Sequence, residues 1–304
     1  MAEKKKKLIL IAGPTAVGKT AIAIKVATQF ETEIISADSR QCYKELSIGV
    51  ARPSASELAA VQHHFIASHS IHEKINAVSF EKYALEKLEQ IFAQKDIAIV
   101  TGGTGLYIKA LTEGMDEIPF VPQEVHEDVV HSYKQQGMQW LQQQVRELDP
   151  LFYKEGEILN PQRMMRALEV YRTTGKSILH FRKGEKSERN FDPIKIALHL
   201  PRQELHRNIS ARVDKMMEQG LLDEVSSLMP FQHLNALQTV GYKELFDYLN
   251  GEISLGEAVE LIKKNTRQYA KRQMTWFKKD KEYTWLDVDA EELLRFLKTA
   301  LNTK

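Results

Sequence analysis

The stretch from Leu8 to Thr20, LILIAGPTAVGKT, decides the fold. It opens on a continuous apolar run, Leu8 to Ala12, fenced by the basic start MAEKKKK and by Gly13-Pro14. So short a run without polar alternation suits a strand buried on both faces of a parallel sheet. The residues that follow, Gly13-Pro14-Thr15-Ala16-Val17-Gly18-Lys19-Thr20, fit G-x-x-x-x-G-K-[ST], and Thr20 to Phe30 reads as a helix. Strand, glycine loop and helix together are the setting in which that pattern holds phosphate. The glycines let backbone N–H groups turn inward around phosphate oxygens. The helix N-terminus adds its partial positive charge. Lys19 is expected to neutralise the terminal phosphate, and Thr20 to offer its hydroxyl to Mg²⁺.

Outward from this loop the α/β pattern continues. EIISA (33–37) reads as a second short strand ending at Asp38, 79–94 has a helical period, and IAIV (97–100) is a third buried strand stopped by Thr101-Gly102-Gly103. This order describes a P-loop NTPase-like parallel α/β core. Near Gly114 the pattern changes: 123–175 is helical, polar and rich in Gln, and IKIALHL (194–200) returns to strand. A helical insertion domain over 115–193 is therefore expected, within a core of 1–114 and 194–304. Helical patterns over 205–229, 242–250 and 255–279 make the C-terminal region helical.

Composition narrows the class. The 304 residues carry 42 Lys+Arg against 41 Asp+Glu, a formal net charge of +1, with 43% hydrophobic residues. Those are globular values, and they exclude a disordered or low-complexity chain. The near-zero charge excludes a uniformly cationic surface and leaves room for a local basic strip. One such strip exists: 263–281 holds eight basic residues and one acid, a net +7, so the rest of the chain carries −6. Lys271 and Arg272 in it are expected to face RNA, while Trp276 and Phe277 are expected to pack inward. Cys42 is the only cysteine, so neither an intrachain disulfide nor a cysteine zinc site can form, and a reducing cytoplasm is expected. The lysines of the start read as solubilising. The apolar run after them is too short for a secretory signal, and no stretch reaches the roughly 18 apolar residues of a membrane span.

The loop implies phosphate binding, not hydrolysis. A P-loop ATPase usually ends a hydrophobic strand in an Asp that holds Mg²⁺. Here IAIV runs into Thr101-Gly102-Gly103-Thr104-Gly105, without a carboxylate. The acid that does appear is Asp38, ending the second strand. Carboxyl ends of parallel strands face the ligand crevice, so Asp38 belongs beside the phosphate site. That favours group transfer onto a second substrate.

These residues resemble the tRNA dimethylallyltransferase (tRNA isopentenyltransferase) family. The resemblance runs through GPTAVGKT (13–20), DSRQCYKELSIGVARPS (38–54), HHF (63–65), TGGTGLYIKAL (101–111), NPQRMMRALEVYRTTGKS (160–177) and VGYKE (240–244). It implies transfer of the dimethylallyl group of dimethylallyl diphosphate to N6 of adenosine 37, beside the anticodon of tRNA. Asp38 is then the general base, and the P-loop, Lys19 and a Mg²⁺ on Thr20 hold the diphosphate leaving group. The resemblance also implies a base or tRNA contact at Thr104, and an arginine near the diphosphate at Arg212. Ser39, Arg40 and Gln41 are expected at the adenine edge. Gln162, Arg163, Met164, Met165 and Arg166 are expected to meet RNA, with the helical insertion as a clamp. Where the family often has a phosphate-contacting arginine this chain has His126, a weaker and pH-dependent contact.

The adjacent His63 and His64 read as structural, because neighbouring residues face apart. Nothing demands a dimer, and a monomer is expected. The competing readings are a P-loop nucleotide or small-molecule kinase, an adenylate isopentenyltransferase acting on free AMP, and an RNA-binding ATP switch. The basic C-terminal region and the helical insertion favour a macromolecular acceptor.

Overall fold

The computed structural model describes residues 5–302. The chain divides into two compact units: 1–113 with 188–304, and Gly114–Ser187. The first is built on β1 (Lys6–Ala12), α1 (Lys19–Gln29), β2 (Ile34–Ser36), α2 (Ala55–Ala60), β3 (His63–His64), α3 (Ala77–Phe92), β4 (Ile97–Gly102) and α4 (Gly105–Glu113). The second holds α5 (Gln123–Leu148), α6 (Pro150–Glu155) and α7 (Pro161–Thr174). The chain then returns to the first unit with β5 (Phe191–Leu198), α8 (Arg202–Glu218), α9 (Leu221–Ser227), α10 (Tyr242–Leu249), α11 (Leu255–Lys279), β6 (Thr284–Leu286) and α12 (Ala290–Asn302).

The six strands form one sheet in the order β3-β2-β4-β1-β5-β6, with every pairing parallel. Strand β1 is central, between β4 and β5. Its side chains divide by parity: Leu8 and Leu10 enter the apolar cluster on one face, Ile9 and Ile11 the cluster on the other. That is why the run lacks alternation. Each fully buried side chain of this kind contributes about 1.5–3 kcal/mol of transfer free energy.

Strand β5 starts at Phe191, ahead of the expected Ile194, and pairs with β1 from Lys6↔Phe191 onward. Its first residues look polar because Asp192 faces the basic start, where Lys5 and Lys7 pair with it at 3.0 Å each. Residues 1–4 of that start lie outside the described residues. The histidine pair forms the edge strand β3: His63 Nδ1 lies 2.7 Å from the Val61 carbonyl, and His64 Nε2 lies 2.5 Å from Glu33 Oε2. The expected 205–229 helix is interrupted at Gly220, whose φ of +93° separates α8 from α9.

The second unit has its own core, in which Val129, Leu141, Val145, Phe152, Met164 and Leu168 are fully buried. Helix α7 begins where Asn160 accepts a hydrogen bond from the Arg163 N–H and Pro161 takes the first turn. Helix α5 is broken at Gly137, the one interior residue with non-helical angles.

Candidate functional site

At the carboxyl end of the sheet the first unit holds a cavity of about 430 Å³, in the size range of small-molecule sites. The loop after β1 forms one side. Gly13 passes so close to the end of β5 that a Cβ there would lie 2.8 Å from the Leu198 carbonyl oxygen. Thr15, Ala16, Gly18, Lys19 and Thr20 line the cavity. Lys19 Nζ donates to the Pro14 carbonyl at 2.7 Å, so the lysine folds back over its own loop.

Asp38, Ser39, Arg40 and Gln41, from the turn after β2, line the same cavity. Asp38 Oδ1 accepts from the N–H groups of Arg40 at 2.9 Å and Gln41 at 3.2 Å, a turn that fixes the carboxylate's direction. The Gln41 amide is committed within the protein: its Nε2 donates to the Val50 and Ala51 carbonyls, and its Oε1 lies 3.2 Å from Ser36 Oγ. Gln41 therefore shapes the wall and does not offer its amide to a base edge. Thr104 accepts from the Ser39 N–H at 3.1 Å, and its own N–H donates to the Ala37 carbonyl at 3.1 Å. Threonine and aspartate are thus tied together across β2 and β4.

Arg212 reaches the cavity from α8. Burial, and then the nearby Arg212 charge, lower Lys19 to about 7, with Asp38 pulling the other way. Burial likewise lowers Arg212, again opposed by Asp38. Lys19, Arg40 and Arg212 against Asp38 and Glu57 leave the cavity lining with a surplus positive charge, which an anion relieves. Ile209, Val213, Met216, Val240 and Ile262 give the cavity an apolar wall. The site is suited to a ligand with a strongly anionic end and a short hydrocarbon end.

Helix α11 supplies four lining residues that the sequence alone did not assign to the cavity, Ile262, Thr266, Tyr269 and Gln273. The signal for Gln273 was present: it is a polar residue in the buried stripe Ile262, Ala270, Gln273, Phe277. Lys271 and Arg272 of α11 are exposed, and the Arg272 guanidinium sits 5.7 Å over the ring of the cavity-lining Tyr269. Lys263 of the basic strip is held by Asp214 at 2.7 Å and Glu260 at 3.1 Å. Phe277 is buried, and Trp276 packs its indole against Gly105 while remaining 38% exposed, so the expected inward packing holds fully for the first and in part for the second.

In the second unit the expected RNA contacts separate into two groups. Gln162 and Arg163 are exposed and Arg166 half-buried, with Arg163 paired to Glu157. Met164 and Met165 are core residues at 0% and 5% exposure, so the expectation that their side chains meet RNA is corrected by their packing. His126 Nδ1 lies 2.8 Å from Glu169 Oε1, and Arg166 donates to Glu169 Oε2 at 3.3 Å. A buried glutamate thus gathers the His126 ring and the Arg166 guanidinium of this unit.

Among the described residues no helix is long and apolar enough to cross a membrane. The IPP transferase family model matches residues 41–280. A tRNA dimethylallyltransferase of Christiangramia forsetii is 46% identical over 298 residues, 97% of this chain and 99% of that protein. One of Flavobacterium johnsoniae is 45% identical over 300 residues, 96% of this chain and 97% of that protein. The crystal structure of the full-length tRNA isopentenylpyrophosphate transferase of Bacillus halodurans superposes with a TM-score of 0.72 at 32% identity, covering 98% of this chain and 97% of that one. A eukaryotic dimethylallyltransferase acting on tRNA gives 0.76 at 27% identity, over 93% of this chain and 74% of that one.

Proposed function

The chain belongs to the IPP transferase family, and from that premise we propose that it transfers the dimethylallyl group of dimethylallyl diphosphate to N6 of adenosine 37 in tRNA. The observation that carries this is the meeting of a P-loop, Lys19, Arg212 and the Asp38 carboxylate in one cavity with an apolar wall.

The chemistry follows from those groups. The exocyclic amine of adenine is a poor nucleophile because its lone pair is conjugated with the ring. As its nitrogen bonds to the allylic carbon it must lose a proton, and Asp38 accepts it. The allylic C–O bond breaks in the same step, and its electron pair leaves with the diphosphate. Charge grows on that leaving group, and the inward N–H groups of the loop, Lys19 and Arg212 stabilise it. The apolar wall surrounds the five-carbon group and keeps water from the allylic centre. Thr104, tied to Ser39 and Ala37, holds the Asp38 turn in register with the incoming base.

Thr20 lines the cavity beside Lys19. Among the described residues no group of three His, Cys, Asp or Glu side chains could hold a metal ion. The Thr20 hydroxyl would hold a Mg²⁺ beside the diphosphate, an ion that needs few protein ligands. When bound, Mg²⁺ supplies further charge to the leaving group.

The acceptor must be brought out of its loop stack to reach the cavity. Lys271 and Arg272 present a cationic face to the RNA backbone, and Arg163, Arg166 and His126 of the helical unit add a second basic surface. Replacing Lys271 and Arg272 together by Glu is expected to raise the KM for tRNA about tenfold or more and to flatten its salt dependence, since two phosphate contacts are lost. Steady-state kinetics at several salt concentrations check this. A KM and salt slope equal to wild type would remove that face from the RNA interface.

A further inference from the structure

Helix α11 turns three side chains toward the loop that follows β4. The Tyr269 side chain lies beside Thr104. Gln273 Nε2 donates to the Gly103 carbonyl at 2.9 Å. The Trp276 indole lies so close to Gly105 that a Cβ there would meet Cδ1 and Nε1 at 2.1 Å. Steps of four and three residues put these side chains on one helix face. Three successive loop residues therefore each meet one of them.

Gln273 reaches further than its neighbours. Its Oε1 accepts from the Thr15 N–H of the P-loop at 2.8 Å. The residue is 6% exposed, and both ends of its amide are used, as burial of a polar group demands. A Cβ on Gly103 would lie 2.1 Å from Gln273 Nε2, so glycine at 103 is what admits the amide.

We propose that Gln273 is a positioning residue that fixes the separation between the diphosphate loop and the general base. The bonds run from Thr15 through Gln273 to Gly103, then through Thr104 to Ser39 and Ala37, which flank Asp38. The leaving-group end and the proton-accepting end of the cavity thus share one buried strut. Because α11 also carries the exposed Lys271 and Arg272, RNA docked on those two side chains bears on the helix that sets this separation. The proposal rests on the transferase function proposed above.

A double-mutant cycle tests it. Gln273→Ala removes the strut, and Gly103→Ala displaces it, since the added methyl meets nothing nearer than the amide. Each single variant is expected to lower kcat per folded enzyme about 10–100-fold, the cost of misplacing reacting groups by a fraction of an ångström to an ångström. The KM for tRNA should stay near wild type. In the double variant the alanine methyl occupies space the amide has left, so its loss should be no greater than that of the worse single. Melting temperature and far-UV circular dichroism give the folded fraction. Wild-type kcat per folded enzyme in Gln273→Ala, or losses that multiply in the double variant, would overturn the proposal. The same non-additivity is expected in calorimetric affinity for inorganic diphosphate, which needs no transfer reaction. A chain that fails to modify tRNA and a strut that fails to couple the loops are therefore told apart.

Discussion

Asp38→Asn is expected to lower kcat by about 10³-fold, the scale of a lost general base. Asparagine keeps an oxygen where Asp38 Oδ1 accepts from the Arg40 and Gln41 N–H groups, so the turn after β2 survives. What it cannot do is take a proton from N6. The affinity for inorganic diphosphate should hold or rise slightly, because a carboxylate beside Lys19 and Arg212 has been neutralised. Rapid-quench turnover and calorimetry on the same preparation separate the two effects. If diphosphate affinity collapses along with turnover, Asp38 holds the site together and is not its base.

Lys19→Met is expected to do the reverse, losing the anion first. A charged hydrogen bond to phosphate contributes about 1.5–3 kcal/mol, so diphosphate affinity should fall about 10–100-fold. Stabilisation of developing charge is lost as well, and kcat should fall by a further factor of about 10². The lysine also sets a pH signature. In the ligand-free protein burial and Arg212 bring it down to about 7, so above that pH it is mostly neutral. Bound diphosphate favours the ammonium form, so at pH 8 binding should draw a proton from solution, and affinity should weaken as pH rises through 7. Titrations in buffers of different ionisation enthalpy measure that uptake. Wild type should show it and Lys19→Met should not; equal uptake in both would place the titrating group elsewhere.

How far the sequence carried these assignments depended on length of signal and on distance along the chain. The run Leu8 to Ala12 and the loop after it were legible because local pattern and burial agree. Helix α11 was legible from end to end, since Ser254 and Glu257 form a capping box at its start and Lys278 and Lys279 close its last turn. Strands β3 and β6 were not, being two and three residues long, and helix α12 carried no motif to draw attention to it. In the cavity, Lys19, Thr20 and Asp38 could be placed by strand-end logic. Arg212 could not: it comes from α8, and only the family resemblance singled it out. Gln273 was hidden for the same reason, because its partners Thr15 and Gly103 lie 258 and 170 residues away. Met164 and Met165 were misread because a motif marks a segment, whereas helical periodicity decides which of its side chains face the core.

The central claim is the identity of the transferred group and of its acceptor. The measurement is to incubate the chain with dimethylallyl diphosphate, Mg²⁺ and either unmodified tRNA or AMP, and to analyse the digested nucleosides by mass spectrometry. One dimethylallyl group per tRNA, on N6 of adenosine 37, with AMP left unchanged, is the predicted result. Unmodified tRNA, or prenylated AMP in its place, would contradict it.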